Sequence, residues 1–180
     1  MTIGAPTLMP IERAGSSHGG LRPPGGTPLP YIKQTENNWC WAACGEMIMR
    51  SRGMGSTQCT LASTQFSLSC CPSPGAPAGC DAGCWPDHSY PKAGVPTNRI
   101  PAPITRSQVS AELAAGRPVQ VCYQWRGSRS THVALIVSEY GNGDFEVYDP
   151  WPGYGRGARD FSQIESAYGL GTWIMTFTFQ

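Results

Sequence analysis

Gln34-Thr35-Glu36-Asn37-Asn38-Trp39-Cys40-Trp41-Ala42-Ala43 is the stretch on which the reading of this chain turns. It places a side-chain amide six positions ahead of a cysteine. The cysteine opens a run that favours helix, with Ala42, Ala43, Glu46, Met47, Ile48 and Met49, closed by Gly53. A helix is therefore expected from Trp39 to about Arg52, capped by Asn37 or Asn38. A thiol attacks as its thiolate, and both a helix N-terminus and a neighbouring imidazolium favour that form. Trp41 reads as a packed anchor that fixes how the first turn faces. Ala42 and Ala43 read as small residues that let a helix approach a sheet, or simply as good helix formers.

Outward from this stretch, two later residues complete a chemical set. His132 precedes the apolar run Val133-Ala134-Leu135-Ile136-Val137, where a strand would hold its backbone rigidly. His18 and His88 have no such setting. Asp149 ends the next run, Val147-Tyr148-Asp149-Pro150-Trp151, and Gly141-Asn142-Gly143-Asp144 is a good hairpin turn between the two. If those runs pair, Asp149 returns beside His132 and can hold its imidazole in one tautomer. Trp151 could then cover the pair. Gln34 and the Cys40 N–H would supply donors to an oxyanion. A nucleophile, a base, an orienting acid and oxyanion donors are the parts that acyl transfer through a thioester requires.

The rest of the chain sets the frame. At 180 residues it has room for one domain with a real core. Net charge is +1 and the charged fraction 14%, which gives no electrostatic footprint for nucleic acid or an anionic membrane. No apolar run reaches the roughly 18 residues a membrane helix needs. With 22 glycines and 17 prolines, loops are expected to be plentiful. Residues 1–30 read as a Gly/Pro-rich flexible arm, and 31–180 as the folded domain. After the first helix, a short helix is expected over 59–69 and an irregular, disulfide-pinned region over 70–104. Thr105 is expected to cap a helix with Val109 and Leu113 on one face, ended by Gly116 and Pro118. Strands are expected over 119–125, 133–140, 145–149 and 173–179. Helices first and a mostly antiparallel sheet afterwards make an α+β domain, with a cleft between the halves.

Eight cysteines, at 40, 44, 59, 70, 71, 80, 84 and 122, argue for an oxidising final environment. Met1 to Pro10 has neither a charged n-region nor a continuous apolar h-region, so a Sec signal is not visible. Either a leader has been removed, or the chain is secreted or delivered by a non-Sec route; the other reading is a cytosolic protein with reduced or metal-bound cysteines. Besides Cys40, Cys44 remains open as nucleophile. One turn deeper, Cys44 is expected to be buried and to favour a disulfide. Cys122, mid-strand, is the candidate for a cysteine left free.

These segments resemble the papain-like cysteine peptidases, and more closely their compact bacterial branch typified by AvrRpt2-type effectors. Gln34, Cys40, Trp41 and Ala42 match that family's glutamine and Cys-Trp-Ala segment. His132, Asp149 and Trp151 match its histidine, its Asn or Asp sixteen to seventeen residues later, and the Trp two beyond. Ser69-Cys70-Cys71 through Gly79-Cys80-Asp81-Ala82-Gly83 resembles its disulfide-bearing loop. There are departures. Asn37-Asn38-Trp39 replaces the usual Cys-Gly-Ser, so Cys44 could stand in for the lost cystine partner. His132 follows Cys40 by 92 residues, against roughly 130 in the larger enzymes, so the loops that build subsites are trimmed. The resemblance implies an endopeptidase with Cys40 as nucleophile, His132 as base and acid, Asp149 as orienter and Gln34 as oxyanion donor. It implies no cofactor and no metal, a protein substrate, and a delivered effector or toxin with a cognate immunity or inhibitor partner. Three rivals stand beside it. One is acyl transfer to amines through the same triad, as in transglutaminases. The second is a non-catalytic, cystine-stabilised binding module. The third is a zinc site drawn from Cys70, Cys71, Cys80, Cys84 and His88.

Overall fold

The computed structural model describes residues 29–71 and 76–180. The expected arm over 1–30 lies outside the described residues except for Leu29 and Pro30, and Leu29 packs on the core. The first helix, α1, spans Cys40–Ser51, and α2 spans Gln58–Phe66. Neither Asn37 nor Asn38 caps α1. The cap position is Trp39 with no side-chain bond, and Asn38 instead binds Asp81, its backbone N–H 2.7 Å from a carboxylate oxygen. The helix is held by burial rather than by capping, with every residue from Trp41 to Met49 buried.

The region over 70–104 is more ordered than its composition implies. It holds the short helix α3 (Pro86–Ser89), a 3-10 turn over Tyr90–Ala93, and an edge strand β1 (Thr97–Ile100). Then come α4 (Arg106–Ala114), β2 (Val119–Trp125), β3 (Thr131–Glu139), β4 (Phe145–Asp149), β5 (Gly155–Arg159), α5 (Phe161–Glu165) and β6 (Gly171–Phe179). Thr105 caps α4 as expected, in a reciprocal box with Gln108. The six strands form one sheet in the order β1-β6-β2-β3-β4-β5, each neighbour antiparallel. This is the α+β, papain-like arrangement, with helices mostly N-terminal and the sheet C-terminal.

Strand alternation sorts the sheet into two faces. Val133 and Leu135 of β3 join the core under α1 and α2, while Ala134 and Ile136 join a second core with α4 and α5. His132 has the parity of Ala134, and Asp149 that of Phe145 and Val147, so both side chains leave the same face. They sit where β3 begins and β4 stops, at one end of the sheet.

Two disulfides, Cys59–Cys71 and Cys70–Cys80, pin the loop beyond α2. Cys44 is free and buried, which corrects the expectation that it would enter a cystine; Cys122 is free, as expected, and so is Cys84. The disulfides also consume three of the five proposed zinc ligands, leaving Cys84 and His88.

Candidate active site

Cys40 is the first residue of α1 and half-buried, so its backbone N–H has no preceding helical carbonyl to reach. His132 and Asp149 are 2% and 1% exposed, and imidazole Nε2 lies 2.7 Å from Asp149 Oδ1. That bond leaves Nδ1 to meet the thiol. Burial alone lowers the imidazole's proton affinity. The charge and hydrogen bond of Asp149, with the facing Cys40, more than reverse this and push its pKa up to about 10. The pair therefore favours imidazolium.

Asp149 is itself held on several sides. Trp151 donates its backbone N–H to Oδ1 at 2.9 Å, and the Tyr168 hydroxyl donates to Oδ2 at 3.1 Å. Tyr31 donates to the Asp149 backbone carbonyl at 3.0 Å. The Trp151 ring stands edge-on to His132 with centroids 6.1 Å apart, where the sequence places a cover. On the other side Trp125 stacks on His132 at 5.6 Å.

Gln34 is buried and its segment is tied to the loop after β4, its backbone N–H donating to Pro150 O at 3.0 Å. Glu46 of α1 accepts the Gln58 backbone N–H at 2.9 Å. The Gln58 side chain in turn donates to Lys33 O and accepts from Thr35 N, bracketing Gln34 from both sides. The Gln34 amide N–H groups are spent on Glu36 O and Asn37 O at 2.8 and 3.0 Å, while its Oε1 has no partner among the described residues. To serve an oxyanion, one of those bonds must open. A hollow of about 130 Å³ lies between Gln34–Asn37 and Trp151–Pro152.

Cys44 is fully buried, with its thiol aimed at Val133 O. Burial, then the nearby Cys40 and Asp149, push its pKa well above the ordinary thiol value. Burial likewise pushes Cys122 up to about 12. Neither suits a nucleophile. His88 is exposed and pairs loosely with Asp87 at 3.8 Å. Tyr168, Trp125, Tyr31 and Gln58 escaped the sequence reading, because no fixed spacing links them to Cys40 or His132.

The model of the Peptidase_C39 like family matches residues 27–172. No curated protein shows a significant sequence match. Among solved structures, the peptidase domain of Streptococcus ComA, a bi-functional ABC transporter involved in a quorum sensing pathway, is similar with a TM-score of 0.58 and 15% identity. The match covers 84% of this chain and 98% of that one. A protein assigned as a C39-like peptidase from Bacillus anthracis has a TM-score of 0.53 at 12% identity, covering 86% and 95%. A double glycine motif protease from an AMS/PCAT transporter, solved with a leader peptide, has a TM-score of 0.54 at 13% identity, covering 87% and 94%.

Proposed function

Because this chain belongs to the Peptidase_C39 like family it is a papain-like cysteine protease, and from that premise we propose that Cys40, His132 and Asp149 cleave internal peptide bonds. The observation that carries this reading is the buried 2.7 Å His132–Asp149 pair beside a half-buried thiol at a helix tip. His132 takes the Cys40 proton, and the sulfur attacks the scissile carbonyl carbon. The resulting oxyanion is met by the Cys40 N–H and by the Gln34 amide, which gives up a carbonyl partner for it. The imidazolium protonates the departing amine as the C–N bond breaks, leaving a thioester. His132 then deprotonates a water that attacks the thioester, freeing a carboxylate product and the thiol.

The substrate reading includes the chain's own N-terminal arm. Gly19-Gly20 and Gly25-Gly26 precede the point where the family match begins, and one structural relative is a double glycine motif protease solved with a leader peptide. We also propose, on the AvrRpt2-type resemblance and the disulfides, a secreted or delivered effector or toxin that acts on another cell's protein and has a cognate inhibitor.

Mapping new protein termini in cell extract treated with wild type or Cys40→Ala tests the reading. Wild type alone should generate new termini, including one within residues 1–30 of the chain itself. Incorporation of a labelled amine with no new termini would replace hydrolysis by acyl transfer. Biological activity that survives Cys40→Ala would replace catalysis by binding.

A further inference from the structure

Resting on that assignment of His132 and Asp149, we propose that Tyr168 is a positioning residue acting through Asp149, its hydroxyl fixing the carboxylate so that one oxygen stays aimed at His132. The torsion that turns an aspartate carboxylate is soft, so a hold on one oxygen does not fix the plane of the group. Here Oδ1 receives His132 and Trp151, and Oδ2 receives the Tyr168 hydroxyl at 3.1 Å. The same tyrosine closes an aromatic circuit back to the base. Its ring stacks on Tyr154 at 5.3 Å, Tyr154 on Trp125 at 6.2 Å, and Trp125 on His132 at 5.6 Å. Acid and base are thus clasped from both ends of one chain of contacts.

The backbone marks the same residue. Ala167 and Tyr168 stand at φ 46° and 61°, a conformation that a β-carbon disfavours and that turns usually give to glycine or asparagine. Neighbouring bonds hold the turn there, with Tyr168 N–H to Gln163 O at 2.7 Å and Gly171 N–H to Ser166 O at 3.1 Å. Gly171 permits the approach of β6 to β2, since a β-carbon there would come 2.2 Å from Gln124 O. Strain at a non-glycine residue whose side chain reaches a catalytic carboxylate marks use of that side chain. Phenylalanine would keep the stacking and lose only the hydroxyl. The titratable and charged groups around this assembly are Cys40 facing His132, Tyr31 on the Asp149 carbonyl, Tyr154, Tyr123 edge-on to Tyr168 at 5.5 Å, and Arg159 over its ring at 5.4 Å.

Tyr168→Phe tests the proposal in the full chain by peptide kinetics and by NMR titration of His132. Loss of a hydrogen bond to a charged group should lower kcat about ten-fold with KM within about two-fold. The His132 titration should move to lower pH as Asp149 loosens. Wild-type kcat together with an unmoved titration would overturn the proposal. If wild type cleaves no peptide, the assigned reaction fails, but the titration still decides whether Tyr168 positions the pair. If Tyr168→Phe folds poorly, the measurement is repeated with and without it on an Ala167→Gly background, which relieves the turn.

Discussion

At the residue scale, Asp149 does more than orient an imidazole: it sustains a charge on a side chain that burial would neutralise. The sign follows from the direction of the shift. Imidazole ordinarily titrates near 6.5 and here near 10, so the pair's contribution to stability is complete below about pH 6.5 and is lost as pH rises through about 10. In Asp149→Ala the carboxylate's raising effect is gone, and only the facing Cys40 still opposes burial. Unfolding midpoints measured across that range should fall with pH in wild type and fall much less in the variant. The same substitution should lower kcat by about 10³-fold, since without the carboxylate the imidazole is neither held in orientation nor stabilised as imidazolium. The residues proposed to carry this chemistry stand out in the sequence because each is tied to a local signal: Cys40 to a helix start, His132 to a strand start, Asp149 to a strand end. Tyr168 carries no such signal. It reaches Asp149 only because the turn after α5 folds back over β4's end.

At the element scale, α1 owes its position to what packs on it. Gly45 lies mid-helix, where glycine costs about 0.5–1 kcal/mol relative to alanine. A β-carbon there would stand 2.6 Å from the Tyr90 ring and 3.0 Å from Leu61. Tyr90 is fully buried and its hydroxyl donates to Trp41 O at 2.5 Å, so it cannot simply move aside. Gly45→Ala should therefore destabilise by about 1–3 kcal/mol despite its better helix propensity, read as a lower midpoint in chemical denaturation. A stabilised protein would contradict this account. The central strands and α4 were legible because their apolar periodicity and caps are strong. Two edge strands were not. Gly155–Arg159 contains two glycines and two arginines, and Thr97–Ile100 lies between Pro96 and Pro101. Edge strands pair on one side only, so their composition need not show a buried strand's pattern.

At the scale of the whole molecule, the disulfide loop and the reactive helix form one unit. The indoles on either side of Cys40 both donate into that loop, Trp39 to Cys80 O at 2.7 Å and Trp41 to Ala82 O at 3.0 Å. Replacing Cys70 and Cys80 by alanine should cost about 2–4 kcal/mol, or roughly 5–15 °C in thermal midpoint for a chain of this size. It should also lower kcat, because the first turn of α1 loses its external anchors. The paired substitution is the cleaner measurement, since a reductant would break Cys59–Cys71 as well. Unchanged kcat in a folded variant would separate the loop from the site.

The sequence by itself determined the α+β class, and it singled out the residues to which we assign the chemistry, because local periodicity, capping and offset along the chain encode those. Only the tertiary structure decided which cysteines pair, that Cys44 stays a free buried thiol, that the Gln34 amide is engaged by backbone carbonyls, and that Tyr168 and Trp125 enclose the acid and base. The Gln34 bonds close a local turn, two and three residues along the chain; the others depend on distances between groups further apart in sequence, which are fixed only when two faces of one sheet have been covered and closed against each other.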